Sequence, residues 1–341
     1  MKKLNTLDKL VFFFNLFIAI MLLFSYVLPY VQPKNFAFLS VLSLGVPLLI
    51  VLNILFLIYW LLKVKKHLLI SLIVLIIGSK YVTSLYKFSS SKDIESTDNI
   101  SLMNYNVRLF NLYNWIPSNN TQKEIVNLIK EAAPEIISFQ EYHPHADVDL
   151  SFYKYKYESL SGSRIKYGQA IFSKYPIIDS GSVKFPSTAN NAIYADIVKD
   201  EDTLRIYNVH LQSLRIQSDL EQLQMENSDV LIEHISDAFE IQQSQAELFI
   251  KHKSKSPYRV IVCGDFNNTP YSYVYDKIKG DLKDAFQEAG NGFGRTFDFK
   301  YFPTRIDFIL TDPSYSVNSF KTYKKKLSDH YPIMAKVSLH K

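Results

Sequence analysis

Two runs without a single charged side chain, Leu10–Leu28 and Phe36–Leu62, constrain this 341-residue chain more than any other feature. The hydrocarbon core of a bilayer is about 30 Å thick and a helix rises about 1.5 Å per residue, so about twenty apolar residues cross it. No water reaches backbone N–H and C=O groups inside lipid, and a helix satisfies them within one segment. Both runs are therefore predicted to be membrane helices. Pro29 and Pro33 end the first, Gly45 and Pro47 permit a kink in the second, and Tyr59 and Trp60 suit the interface where it stops. A third segment, Leu68–Tyr86, is continuously apolar only to Gly78 and carries Lys80. We expect it to cross as well. No small-residue cleavage pattern follows the first run, and further apolar runs come after it, so an uncleaved anchor is expected.

Charge divides the chain at the same place. Residues 1–88 hold nine Lys, no Arg and one acid, Asp8. The remainder holds 29 basic and 32 acidic residues, a net of −3 against +5 for the whole chain. The basic excess that would otherwise point to nucleic acid belongs to the membrane region. Lys2, Lys3 and Lys9 precede the first run and Lys63, Lys65 and Lys66 follow the second, whereas the loop between them has only Lys34. Positive loops stay in the cytoplasm, so three spans put the rest of a multi-pass protein on the outer face of the cell membrane.

Ser89–Asn99 reads as a polar, mobile linker, and residues 100–341 have a length that suits one domain. Helical spacing marks Gln122–Ala132, through Ile125, Leu128 and Ile129, and Asp237–Lys251, through Phe239, Ala246, Phe249 and Ile250. Ser213–Glu233 is a polar stretch expected to be solvated helix or lid. Cys263 cannot form an internal disulfide and is read as a small buried hydrophobe.

The remaining apolar runs read as strands, and each delivers polar groups to one end. Val260-Ile261-Val262 leads into Cys-Gly-Asp-Phe-Asn, where Asp265 and Asn267 stand two apart and so face the same way. Further strands end on Asn106, on Gln140 and Glu141, and on Asn208 and His210. Asp307 lies in Arg-Ile-Asp-Phe-Ile, and Asp329 with His330 in Ser-Asp-His-Tyr-Pro. One such residue is ordinarily a turn or a satisfied core polar group. Six in this order are not explained that way.

In these motifs, together with Tyr-Gly-Gln-Ala-Ile-Phe-Ser-Lys-Tyr-Pro-Ile from Tyr167, the chain resembles the endonuclease/exonuclease/phosphatase superfamily over about Ile100–His340. The resemblance implies a four-layer α/β sandwich, two packed β-sheets flanked by helices, with its site at the strand-end rim. It also implies a phosphoesterase in which His330 pairs with Asp307 and His210 meets phosphate or assists the leaving group. A His at position 210 leans towards the deoxyribonuclease I and sphingomyelinase-like branches.

Phosphodiester hydrolysis needs a cation to neutralise phosphate, an activated water and help for the leaving oxygen. Glu141, with Asn106 and Asp329, is the expected metal set. Oxygen donors without a Cys/His cluster favour Mg²⁺, with Mn²⁺ as the alternative. His330, His210, Asp265, Asn267 and Asp307 are the expected catalytic residues, and Tyr167 and Asn208 the expected substrate contacts. Two stretches have further readings. Tyr153–Tyr157 alternates aromatic and basic side chains as a half-buried strand, and Lys324–Lys326 is a solvated loop or a lure for an anionic substrate. The expected partners are the bilayer and a phosphodiester, either phospholipid or nucleic acid. A nuclease acting on DNA and a silent membrane-proximal binding domain are the other readings, and the intact acid–amide–His set weighs against the silent one.

Overall fold

The computed structural model describes residues 4–88, 94, 98–118, 120–214, 228–300 and 302–339. Most of the Ser89–Asn99 linker, the 215–227 part of the expected lid, and Lys2 and Lys3 lie outside the described residues.

Helices α1 (Thr6–Ser25), α2 (Pro33–Val41), α3 (Val46–Leu62), α4 (Leu68–Ile77) and α5 (Ser79–Leu85) form the apolar region. Two stretches, Thr6–Tyr30 and Pro33–Leu62, are long and apolar enough to cross a membrane. The third segment differs from a straight span: α4 and α5 meet at Gly78 with a bend of 84°. A Cβ at Gly78 would fall 2.0 Å from the Tyr26 ring, so glycine both permits the close packing and ends α4. Helices α1, α3 and α4 pack together. Buried polar groups tie them, Asn15 donating to Ser71 at 2.6 Å and accepting from Trp60 Nε1 at 2.9 Å. At one end Asp8 accepts from Tyr59 and pairs with Lys63. At the other, Tyr26 donates to the Val74 carbonyl, Tyr81 to that of Tyr26, and Tyr271 of the polar domain to that of Tyr81.

The polar domain has two six-stranded sheets. The first runs in the order β13 (Tyr315–Thr322), β14 (Ile333–Leu339), β2 (Ile100–Asn106), β3 (Ile136–Tyr142), β5 (Tyr167–Ser173), β4 (Tyr155–Ser161). The second runs β10 (Lys283–Asp284), β12 (Asp307–Thr311), β9 (Arg259–Asp265), β8 (Asp202–His210), β7 (Asn191–Lys199), β6 (Ile177–Ser182). Only β2–β3 and β8–β9 are parallel pairs, one in the middle of each sheet. Between the sheets, Leu102, Ile136, Ile171, Ile193, Ile206, Ile261 and Ile309 are buried to within 1%. Helix α6 (Thr121–Ala132) covers the outer face of the first sheet through Ile125 and Ile129. The second is covered by α7 (Ser228–Lys253) and α8 (Tyr273–Lys279), through Phe249 and Val274. A short helix, α9 (Ala285–Ala289), packs at the edge beside β13. This is the four-layer sandwich expected. Helix α7 starts before the expected Asp237, at Ser228, and takes in Val230, Leu231, Ile232 and Ile235.

The polar domain contacts the helices on either side of the linker. β1 (Tyr86–Lys87) pairs with β11 (Gly292–Phe293), Lys34 bonds Glu247 at 2.7 Å, and Gln287 donates to Ser84. Leu214, Ala238 and Phe239 pack against Val41 and Leu44, and Tyr271 and Phe302 join the cluster of Val46, Ile50 and Leu85.

The glycine of Cys-Gly-Asp-Phe-Asn has a steric reason. A Cβ at Gly264 would lie 2.1 Å from the Val209 carbonyl of the neighbouring parallel strand. Gly264→Ala is expected to cost about 1–3 kcal/mol through forced separation of β8 and β9. A thermal unfolding curve that superimposes on the wild type would refute this.

Candidate active site

The C-terminal ends of the two parallel pairs, β2–β3 and β8–β9, come to the same rim because the sheets are stacked face to face. Asn106, Glu141, His210 and Asp265 arrive on those ends. Antiparallel β12 begins at the rim, with Asp307 directly opposite Asp265, and His330 stands three residues before β14. His210 is the register partner of Asp265 on the other side.

Asp265 is 1% exposed and sits at the centre. Its carboxylate accepts from Asn106 Nδ2 at 3.0 Å and lies 3.6 Å from His330 Nε2 and 3.8 Å from His210 Nε2. Burial pushes its pKa up to about 6 although both imidazoles pull the other way. Asn106 also reaches Glu141 at 3.3 Å. Burial, helped by the Asp329 charge, raises the Glu141 pKa against the pull of His330 and Arg108. His330 Nδ1 meets Asp307 at 2.9 Å. Burial alone would lower its pKa, but the charges of Asp307 and Asp265 outweigh burial and hold the imidazolium well above the ordinary value. His210 has no such hydrogen bond to a carboxylate, and burial leaves its pKa lowered. Two environments thus separate two histidines: one is kept charged and the other neutral.

Backbone geometry aims two of these groups. Glu141 has φ 49° and sits where the β3–β5 register slips between Phe139 and Tyr142. A bulge of this kind turns a side chain out of its strand pattern. Asn267 also has φ 49°; its N–H donates to Asp265 at 2.8 Å and its amide to the Leu211 carbonyl. Left-handed backbone at a residue other than glycine is costly and clusters at functional sites.

Asp265, Asp307 and His330 bring ligating atoms within 4.8 Å of one another, an arrangement able to hold a metal ion. The expected set Glu141, Asn106 and Asp329 adjoins it, with Glu141 and Asp329 lining the same cleft as His330.

Asn208 does not meet the cleft. It is fully buried, with its amide donating to the Phe139 and Ala170 carbonyls and its oxygen accepting from Gln140 and Gln169 Nε2. It braces the two sheets, because every polar atom it has is spent across them. Tyr167 is half-buried at the start of β5, two residues before Gln169 on the same strand face. Lys325 pairs with Glu124 and Lys326 with Asp298, so that triplet is a solvated, ion-paired loop.

Several contributing residues escaped the sequence reading. Arg108 lies 3.2 Å from Asp329 and 4.5 Å over the Trp115 ring. It opens four successive left-handed residues, Arg108–Asn111, with φ between 42° and 60°. Its only signal was position, two residues after Asn106. Ser328 accepts from the His330 N–H and lies 2.9 Å from the Asn106 carbonyl. Thr296 accepts from the Asp307 N–H at 3.1 Å. Thr296 stands in no recognisable motif, and Ser328 opens Ser-Asp-His-Tyr-Pro, where only the Asp and His drew a role.

The sequence profile of the Endonuclease/Exonuclease/phosphatase family matches residues 103–330. The chain belongs to that family. Members of the family are hydrolases acting on phosphodiester bonds. A second profile, described as a domain of unknown function (DUF8431), matches residues 8–85. Among curated protein sequences none matches the chain. Solved structures share the fold at low identity. An endonuclease/exonuclease/phosphatase from Bacteroides vulgatus is 21% identical, with a TM-score of 0.54 over 71% of this chain and 99% of that one. D. rerio TDP2 complexed with a single-strand DNA product is 18% identical, TM-score 0.53, over 70% and 99%. The human Nocturnin catalytic domain with bound sulfate is 15% identical, TM-score 0.53, over 71% and 94%.

The His330–Asp307 pair gives a signed prediction. In metal-free Asp307→Asn, burial remains while the attraction of one carboxylate is lost, so the His330 imidazolium should titrate at lower pH than in the wild type. Histidine NMR across a pH series reads this directly, and an unchanged titration would contradict it.

Proposed function

We propose that this protein hydrolyses a phosphodiester at a membrane surface, with a lipid head group as substrate and nucleic acid as the competing one. The observation that carries the reading is the relay on one rim: Asp307 bonded to His330 at 2.9 Å, and His330 Nε2 3.6 Å from Asp265.

The charged imidazolium of His330 faces the position where negative charge grows on a phosphoryl oxygen, and Asp307 fixes which ring nitrogen does so. Asp265, with a pKa pushed up to about 6, suits acceptance of a proton from the attacking water near neutral pH. Asn267 holds the Asp265 carboxylate from its backbone N–H. His210, kept neutral by burial, stands on the other side of Asp265, where it contacts the phosphate or the leaving oxygen. Arg108 adds a fixed positive charge beside Asp329.

The donor set fits a hard divalent cation. The Asp329 charge adds to the cost of ionising Glu141 in an oxygen-rich site, with Arg108 beside Asp329. Glu141, Asn106 and Asp329 would hold Mg²⁺ or Mn²⁺. Bound there, the ion supplies charge neutralisation to the phosphate. Asp307 is already committed to His330, which leaves Glu141 the freer carboxylate.

On this reading the membrane region, residues 1–88, carries a catalytic domain on the outer face. Asp8, Tyr59 and Lys63 mark one end of the helical bundle and Tyr26, Tyr81 and Tyr271 the other. The Lys63, Lys65 and Lys66 loop thus lies away from the catalytic domain, which supports cytoplasmic lysines and an external site.

Two experiments test the reading. In full-length protein with Mg²⁺, assayed against phospholipid vesicles and plasmid DNA, Glu141→Gln should abolish turnover and His330→Ala lower it by at least about 10²-fold. Undiminished rates in folded variants would remove these residues from the mechanism, and cleavage of DNA alone would shift the substrate. For topology, alkaline phosphatase fused after Lys341 should be active and a fluorescent protein fused there dark. The reverse pattern would place the domain in the cytoplasm.

A further inference from the structure

The cleft that holds the phosphate-handling residues does not end in solvent. It has a volume of about 380 Å³, and its walls include Glu141, Asp329 and His330 together with Leu44, Leu48 and Leu85 of the helical region. The two ends are joined by a line of aromatic residues. The Phe297 ring lies 5.0 Å from the His330 ring, Phe299 and Phe302 continue the wall, and Phe302 packs on the cluster that contains Val46, Ile50 and Leu85. Leu48 is in the first turn of α3, at the end of that helix nearer the catalytic domain, and is 54% exposed.

Exposed apolar groups also stand on the elements that join the helices to the catalytic domain. Phe36, Phe38 and Leu42 on and after α2, and Phe88 and Phe293 on either side of the β1–β11 pair, are exposed by 40% or more. A soluble domain has no reason to display such groups together, whereas a surface lying in the lipid interface does.

We propose that the helical region is part of the substrate site: Leu44, Leu48, Leu85, Phe297, Phe299 and Phe302 form a channel for the acyl chain of a phosphodiester lipid that enters sideways from the adjoining leaflet. This inference rests on the phosphodiesterase reading above and names how its substrate is held. The arrangement matches the order of groups along a glycerolipid. The charged phosphate meets the His330 imidazolium at one end of the cleft, and the hydrocarbon meets leucine and phenylalanine at the other. A polynucleotide has charge along its whole length and no segment that suits the apolar half. The broken α4–α5 helix also gains a purpose, since the 84° turn at Gly78 carries Leu85 from the bundle to the channel wall.

The test uses full-length protein in lipid nanodiscs with a phosphatidylethanolamine bearing a diazirine at the end of one acyl chain. After irradiation, label is expected on residues 297–305, which belong to the catalytic domain, as well as on the outer faces of the helices. Leu48→Trp, which fills the mouth, should reduce labelling of 297–305 by at least about fivefold, because one blocked apolar contact of this size is worth a factor of that order. Phe13→Leu, on the exposed face of α1, should leave the pattern unchanged. Label confined to the helix exteriors would overturn the proposal. A kinetic arm separates it from the functional reading. Wild-type protein should turn over long-chain phosphodiester lipids at least about tenfold faster than short-chain analogues at equal concentration, and Leu48→Trp should erase that ratio. Equal rates for both chain lengths in the wild type, or a preserved ratio in the variant, would overturn the channel. If neither lipid is hydrolysed while 297–305 is still labelled, the hydrolase reading fails and the acyl-chain channel stands.

Discussion

The site depends on one buried carboxylate, that of Asp265, held where two sheets meet. An ionised acid at 1% exposure is expensive unless its surroundings supply opposing charge and hydrogen bonds. Asn106 comes from the other sheet, His210 from the neighbouring parallel strand, His330 from the segment before β14, and the Asn267 N–H from the following turn. Each is needed by Asp265, and each is placed by the stacking of the sheets. Packing of the isoleucine-rich layer between the sheets therefore sets the chemistry as well as the stability. Asn208 shows the same dependence from the other direction. Its amide spans from β8 to the Phe139 and Ala170 carbonyls of the opposite sheet and locks the register on which the rim relies.

A second constraint comes from the apolar helices. The chain breaks between Ser25 and Pro33, between Leu62 and Leu68, and again at Gly78, where Tyr26 presses against it. From there the chain goes directly into contacts with Tyr271, Gln287 and Phe293. A domain held at so many points has a fixed orientation relative to the bundle. The cleft consequently faces the α2–α3 joint in a defined way, which a flexible tether would not give.

Much of this was legible in the residues. The charge-free runs announced helices, and β-branched runs ending in Asn, Glu, His or Asp announced strands that deliver functional groups. The Gly-Asp-Phe-Asn and Ser-Asp-His motifs announced the phosphoesterase family. Arg108 was not legible, because nothing in a sequence reveals four successive left-handed residues that turn a guanidinium towards Asp329. The supporting roles of Ser328 and Thr296 were hidden for another reason: a hydroxyl that holds Asn106, His330 or Asp307 looks the same in sequence as one that meets water, even where, as at Ser328, it stands inside a motif. Asn208 misled, since a strand-end amide looks the same whether it faces a cleft or an opposing sheet.

By itself the sequence determined the apolar helices, the layered α/β domain and the inventory of acids, amides and histidines, because these follow from hydrophobic spacing and from side-chain chemistry fixed residue by residue. Only the tertiary structure decided which histidine is charged. His330 and His210 are the same side chain on either side of Asp265, and the hydrogen bond that His330 Nδ1 makes to Asp307 distinguishes them. Only the tertiary structure, too, brought Leu48, some 280 residues from His330 in the chain, onto the wall of one cleft. Contacts of that kind have no local pattern. They exist because two independently readable regions are docked on one another, and docking is set by surfaces that form only after each has folded.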